Sequence, residues 1–402
     1  ELGHNNVLGN GQALQLHLLQ AARCIALDGY GAASVEAAYL RAAALCSDAQ
    51  DPTMRTRVEL GLEACYAMRG DLARARALAE AAVHATDWQP HLRLALQARW
   101  AWINVVFHQG HLEQALAMAD ACLARYEPSL HQPRAVQDPA IMCLSYSAWG
   151  LFERGCAGQA LERVQRLLAL AQRLDHPFSH AVAHGFAASV RLFRGELSEG
   201  LAQAEEAVRR CSAGEFQAWL AHARVIRGRL WAAQGDARAG LAEMEAGLAL
   251  WLDTGARITG ATYLAFQAEA CLMLGEPAEA LGRLLQAHEI AQRHGEHYYE
   301  AELLRLQGWS RWLLRRGQTD VQEARALLQR SLALARAQGR LGFALRSALA
   351  LGRLDAEHGE QDEAILRLEE ALSAVPDHHG CADAREARQT LQVWHAMRRR
   401  TH

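Results

Sequence analysis

Proline is scarce in this chain, with eight among 402 residues. Each proline removes an N–H and breaks or kinks a helix, so this scarcity, with abundant Ala, Leu, Arg and Glu, predicts helix nearly throughout. Long apolar runs are missing too. None approaches the roughly 20 residues that span a bilayer, and no stretch of the sequence reads as a signal peptide. No membrane partner is expected. Charge of one sign is also lacking. The net charge is −3 and the pI about 6.7, so no global field favours nucleic acid. The nine cysteines are odd in number and form no C-x-x-C. Cys122, Cys143 and Cys271 fall on apolar helix faces and read as buried free thiols of a reducing compartment, which places the chain in the cytoplasm. Catalytic signatures are absent. There is no G-x-x-x-x-G-K-[ST] loop, no G-x-S-x-G and no catalytic cysteine context, so no enzyme and no cofactor are expected.

What the sequence has in quantity is a recurring joint: a glycine, then a small residue five positions on. Gly70 leads to Ala75, Gly110 to Ala115, Gly155 to Ala160, Gly275 to Ala280 and Gly359 to Ala364. Gly195 and Gly235 lead to Gly200 and Gly240. From Gly70 to Gly275 the glycines lie 40, 45, 40, 40 and 40 residues apart, and Gly317 and Gly359 follow at 42 each. Small residues recur seven before the glycine, at Ala148, Ala188, Gly228, Ala268 and Gly352, and twelve after it, at Ala82, Cys122, Ala207, Gly247, Ala287 and Ala371. A glycine ends one helix in a left-handed turn. The small side chains then let two antiparallel helices approach closely. A fixed period of this size means stacked helical hairpins rather than one globular core.

First helices of the pairs are expected near 54–69, 91–109, 139–154, 178–194, 217–234, 258–274, 297–316, 341–358 and 383–399, after an opening helix at 11–28. Second helices are expected near 34–46, 71–85, 111–125, 157–173, 197–210, 237–252, 278–292, 321–337 and 361–374. Pro139 and Pro177 belong in first helical turns, where a missing N–H is harmless. The stretch 127–139 is the longest non-helical segment and accounts for the spacing of 45. A second insertion puts Ala324 seven residues beyond Gly317 instead of five. Residues 1–10 read as disordered or a linker remnant, and 11–402 as a single helical-repeat domain. The chain opens at Glu1 without an initiator methionine, as expected of a domain excised from a longer protein or of a processed tag.

The glycine in the turn and the three small positions resemble the tetratricopeptide repeat, whose usual period is 34 residues. Here each helix, or the loop after it, is longer by a turn or two. Several stretches resemble something narrower: 28–39, 137–151, 173–190, 240–256, 295–309 and 324–339 are similar to the C-terminal helical-repeat region of bacterial multidomain signalling proteins. In that family a nucleotide cyclase or kinase domain and an AAA- or STAND-type ATPase domain precede the repeats. The resemblance implies an all-α, right-handed superhelix of about nine helix pairs. It implies a non-catalytic sensor that binds a peptide, protein or effector and regulates an attached or associated ATPase or cyclase. Two other readings stay open: an assembly scaffold, and the effector-binding arm of a large ATP-dependent transcriptional activator.

In tetratricopeptide superhelices the first helix of each pair lines the concave groove. By that resemblance the inward residues are Trp100, Asn104 and Phe107; Trp149 and Phe152; Arg229; Glu269; Arg305 and Trp309; and Arg353. Aromatics interleaved with Arg, Asn and Glu suit an extended peptide or protein segment. His176, His180 and His184 share a helix face, and an i, i+4 histidine pair can hold a metal. No third ligand is evident nearby, so His180 and His184 read as packing residues and no metal is expected. His294 with His297, and His378–His379 near Cys381, read as loop residues. Arg398–Arg400 reads as a solvated helix end, favourable at the negative end of the dipole.

Overall fold

The capping chemistry of the joints sets the helix limits. In a computed structural model, residues 10–46, 52–88, 91–130, 137–315, 317–377 and 380–401 are described. The opening segment before Asn10 and His378–His379 lie outside them. Among the described residues nineteen α-helices follow one another: α1 (Asn10–Asp28), α2 (Ala33–Leu45), α3 (Pro52–Met68), α4 (Leu72–Ala85), α5 (Leu92–His108), α6 (Leu112–Leu123), α7 (Pro139–Glu153), α8 (Ala157–Leu174), α9 (Pro177–Arg194), α10 (Leu197–Ala213), α11 (Gln217–Ala233), α12 (Ala237–Asp253), α13 (Gly260–Met273), α14 (Pro277–His294), α15 (Glu300–Leu314), α16 (Gln318–Ala337), α17 (Leu341–Glu357), α18 (Gln361–Ala374) and α19 (Ala382–Thr401). They form nine antiparallel pairs closed by α19. The only strand-like pairing among the described residues is one bridge between Cys156 and Asp377. Among the described residues no helix is long and apolar enough to cross a membrane.

The joints follow the expected chemistry. Asp138 caps α7, its carboxylate accepting from the N–H groups of Ala140 and Ile141, with Pro139 in the first turn. Gly195 ends α9 at φ 80°, and its N–H donates to the Arg191 and Leu192 carbonyls. Gly317 departs from the series. It is extended, at φ −168°, and sits just before α16 instead of ending α15. Ala324 nevertheless fills the small position: a Cβ on Gly308 would lie 3.0 Å from the Ala324 carbonyl oxygen. The period exceeds 34 because the helices themselves are longer. From α8 to α12 they run 17 or 18 residues, with only short joints between.

The small side chains lie in the helix contacts. Ala75, Ala160, Ala280 and Ala364 are fully buried, as are Ala148, Ala188 and Ala268. At α11–α12 even a methyl group is too large, since a Cβ on Gly228 would approach the Gly240 carbonyl to 2.6 Å.

The superhelix then winds onto itself. The carbonyl of Met68, last residue of α3, accepts from the N–H groups of Arg257 and Ile258, just before α13, at 2.7 and 3.2 Å. The carbonyl of His108, last of α5, accepts from His297 and Tyr298 before α15 at 2.8 and 3.2 Å. Glu153, last of α7, forms a buried ion pair with Arg340, which opens α17. α3, α5 and α7 thus each abut, end to start, the first helix five pairs on. This seam gives the otherwise orphaned C-terminal carbonyls donors, and it sets the negative end of one helix dipole against the positive end of another.

Candidate ligand-binding site

Tight winding decides which inward residues meet solvent. The axis near the seam is filled by rings. Phe107 lies 5.3 Å from Tyr298, Trp149 lies 5.8 Å from Phe186, and Phe152 stacks on Phe193 at 5.4 Å. Phe107, Trp149 and Phe152, expected to line an open groove, are all buried. The interior is packed at that level, so no open groove runs along the whole inner face. Sequence periodicity gives the direction of a side chain along its helix. It does not report how closely the next superhelical turn approaches. Asn104 is half-buried, and its carbonyl accepts from His108 Nδ1 at 2.8 Å. Trp100 is half-buried at the N-terminal end, with Nε1 donating to Gln137 Oε1 at 3.3 Å.

The other five residues converge. Glu269 on α13 accepts from Arg229 of α11 at 2.7 and 3.1 Å, and from Arg305 of α15 at 3.4 Å. Arg346 of α17 reaches the same carboxylate at 3.0 Å. Arg305 also holds Glu302 through two bonds of 2.8 and 2.9 Å, and Arg346 pairs with Glu302 at 2.5 Å. Glu269, Arg305, Arg346 and Asp383 floor a cavity of about 330 Å³ between α13, α15, α17 and α19. Its walls carry Leu306, Leu349, Trp309 and the half-exposed Met273. Arg353 stands at the rim, paired with Glu386 at 2.6 Å.

The electrostatics follow from burial against pairing. Burial alone would raise the Glu269 carboxyl, but the guanidiniums of Arg229, Arg346 and Arg305 outweigh it and hold it at about 2. Asp383, reached by Arg346 only at 3.8 Å, is pushed above the usual aspartate range by burial. The basin is therefore pre-charged, with Arg305 and Arg346 fixed in place by the ionised Glu269 carboxylate. It can offer guanidinium N–H groups and apolar wall in the same small space, which suits a peptide segment carrying both kinds of group.

Sequence reasoning missed Arg346, Glu302 and Asp383. Arg346 lies seven residues before Arg353 and Glu302 three before Arg305, so both share a helix face with a residue that was found. Asp383 carries no such signal, because α19 belongs to no pair.

The histidine pair is separated by its partners. His184 Nδ1 meets Gln203 Oε1 at 2.7 Å, and His180 lies 3.8 Å from Asp175. Among the described residues no group of three His, Cys, Asp or Glu side chains is placed to hold a metal ion.

No protein-family model matches the chain, and no curated protein matches it. Solved structures do. A Rap protein complexed with competence and sporulation factor superimposes with a TM-score of 0.55 at 12% identity, over 86% of this chain and 99% of its own. The Rap conjugation gene regulator of plasmid pLS20, in complex with the Phr* peptide, gives 0.53 at 11% identity, over 91% and 94%. The apo form of the quorum sensor NprR from B. thuringiensis gives 0.51 at 13%, over 90% and 97%. The class of fold is thus a tetratricopeptide-like α-α superhelix.

Proposed function

We propose that this chain is a non-catalytic recognition module that binds a peptide or protein segment in the basin between α13, α15, α17 and α19. The observation that carries the reading is the convergence of Glu269, Arg305, Trp309 and Arg353, drawn from three separate helices, around one cavity, with Arg229 of a fourth bonded to Glu269. The neighbouring folds support it: two of those structures hold competence and sporulation factor or the Phr* peptide, and the third is of a quorum sensor. Binding across four helices biases the angles between pairs, and small rotations at many joints change the curvature. Affinity for one curvature is then transmitted to whatever is joined to the superhelix. We assign that output to an attached or associated ATPase or cyclase in a bacterial cytoplasm.

The test pans a displayed random-peptide library on the whole chain and measures the selected peptides by calorimetry. The expected result is a loss of at least about tenfold in affinity with Arg305→Glu, Trp309→Ala, which removes an aromatic anchor and inverts a charge. Unchanged affinity in that variant overturns the basin as the site. A bound-state change in radius of gyration supports the sensor; identical radii favour a scaffold.

A further inference from the structure

The repeat rule has one charged exception. Seven residues before the turn glycine, other first helices place Ala148, Ala188, Gly228, Ala268 and Gly352, and α5 places the apolar Ile103. In α3, seven before Gly70, the residue is Glu63. It is 3% exposed, and among the described residues its carboxyl has no hydrogen-bond or ion-pair partner, with Oε1 fully covered. Burying a carboxyl without a donor costs free energy whichever protonation state it takes. An alanine at this position would pack as it does in the other pairs.

Glu63 does not face solid core. It borders a cavity of about 650 Å³ at the N-terminal end of the superhelix, remote in the chain from the basin above. Aromatic walls come from Tyr30, Tyr39 and Trp100. The Tyr39 ring lies so close over α3 that a Cβ on Gly61 would come within 2.1 Å of it. Of the cavity's other charged groups, Arg93 is engaged, its Nε donating to the Leu130 carbonyl at 2.9 Å. Arg57 is exposed, and His91 precedes α5. A cavity of this size suits a small molecule or one long side chain.

We infer that this cavity binds a primary ammonium group, with Glu63 as its acceptor and Tyr30, Tyr39 and Trp100 enclosing the body that carries it. The ammonium supplies the donors the carboxyl lacks through charge-assisted hydrogen bonds. Aromatic faces attract the same cation. A lone carboxylate is too few ligands for a metal ion, and an anion would meet Glu63 with no donor at that end. Burial pushes the Glu63 carboxyl well above the ordinary glutamate range. An ammonium bound beside it favours the ionised carboxylate and so draws that pKa back down.

The experiment is calorimetry on the whole chain with three probes: 2-phenylethylamine, N-acetyl-lysine amide and the neutral 2-phenylethanol. The expected result is millimolar or tighter binding of at least one amine, and at least tenfold weaker binding for Glu63→Gln. Tighter binding of 2-phenylethylamine identifies a free amine as the ligand type; tighter binding of the lysine probe identifies a lysyl side chain. Binding of neither amine, or amine binding unaltered by Glu63→Gln, overturns the proposal. Glu63→Ala guards against a folding defect, since it restores the repeat's own residue. It should raise the melting temperature while abolishing amine binding, and a lowered melting temperature would show that Glu63 is there for packing.

Discussion

Glu153 and Arg340 form an ion pair from which water is excluded on both sides, although the two residues belong to helix pairs five apart. Arg340 also lies over the Phe107 ring, 5.4 Å from its centroid, and over Tyr298 at 5.9 Å. One contact thus ties successive superhelical turns together and caps the aromatic axis. Arg340→Met strands the Glu153 carboxylate and should cost roughly 3–5 kcal/mol. Adding Glu153→Leu should recover most of that loss, because a matched apolar pair is about as stable as a buried ion pair. Urea unfolding of the two variants checks this. Small-angle scattering of Arg340→Met should show an extended particle where the seam has opened.

The small positions separate glycines needed for space from those that are not. Gly228 faces the Gly240 carbonyl across the α11–α12 contact, and a Cβ there would stand 2.6 Å from it and 2.9 Å from Met244 Cγ. Gly228→Ala should destabilise by roughly 1–3 kcal/mol as the two helices are forced apart. Gly282 is also inside a helix, α14, but nothing lies within 4 Å of its Cβ position. Gly282→Ala should stabilise by about 0.5–1 kcal/mol. Thermal melts of the two variants should shift in opposite directions.

The contrast between these glycines marks what could be read from the chain alone. Turn glycines and small contact residues are local: each reports on its own hairpin, and the repetition makes them legible. Arg229, Glu269 and Arg305 were expected on the inner face for the same reason, as inward positions of successive first helices. The seam was not. Its geometry is the sum of small rotations over five pairs, and no residue encodes that sum. Phe107 and Trp149 therefore looked like groove residues and proved to be axial packing, because Tyr298 arrives from the next turn. Glu63 could have been found as the charged residue at a place where the repeat otherwise keeps alanine, glycine or an apolar side chain.

His222 gives the aromatic axis a pH dependence. It is buried beside Trp149, Phe186 and Trp219, with Nδ1 2.9 Å from the Tyr263 hydroxyl. Burial lowers its pKa from 6.5 to about 4. Because the folded value is depressed, the unfolded chain takes up the proton first as pH falls. The neutral histidine's contribution is complete above pH 6.5 and is lost between there and pH 4, up to about 3 kcal/mol. Other buried histidines add to the wild-type slope, so the informative quantity is a difference. His222→Gln should be less stable than wild type at neutral pH, and the gap should narrow steadily from pH 6.5 to pH 4 in urea-midpoint measurements.

Glu269 sets a second, more acidic window. Its carboxyl is held at about 2 against an ordinary 4.5, so its stabilisation is complete above pH 4.5 and disappears as pH falls through 2. Glu269→Gln leaves Arg229, Arg305 and Arg346 with one carboxylate fewer among them. The expected loss at neutral pH is roughly 3–5 kcal/mol, the cost of stranding buried charge. It should shrink toward zero near pH 2, where the wild-type carboxyl is itself being protonated. A loss that stays constant with pH would mean that Glu269 acts by shape and hydrogen bonding alone. In that case the three guanidiniums are not held by its charge, and the basin would not keep them poised for a ligand's carboxylate.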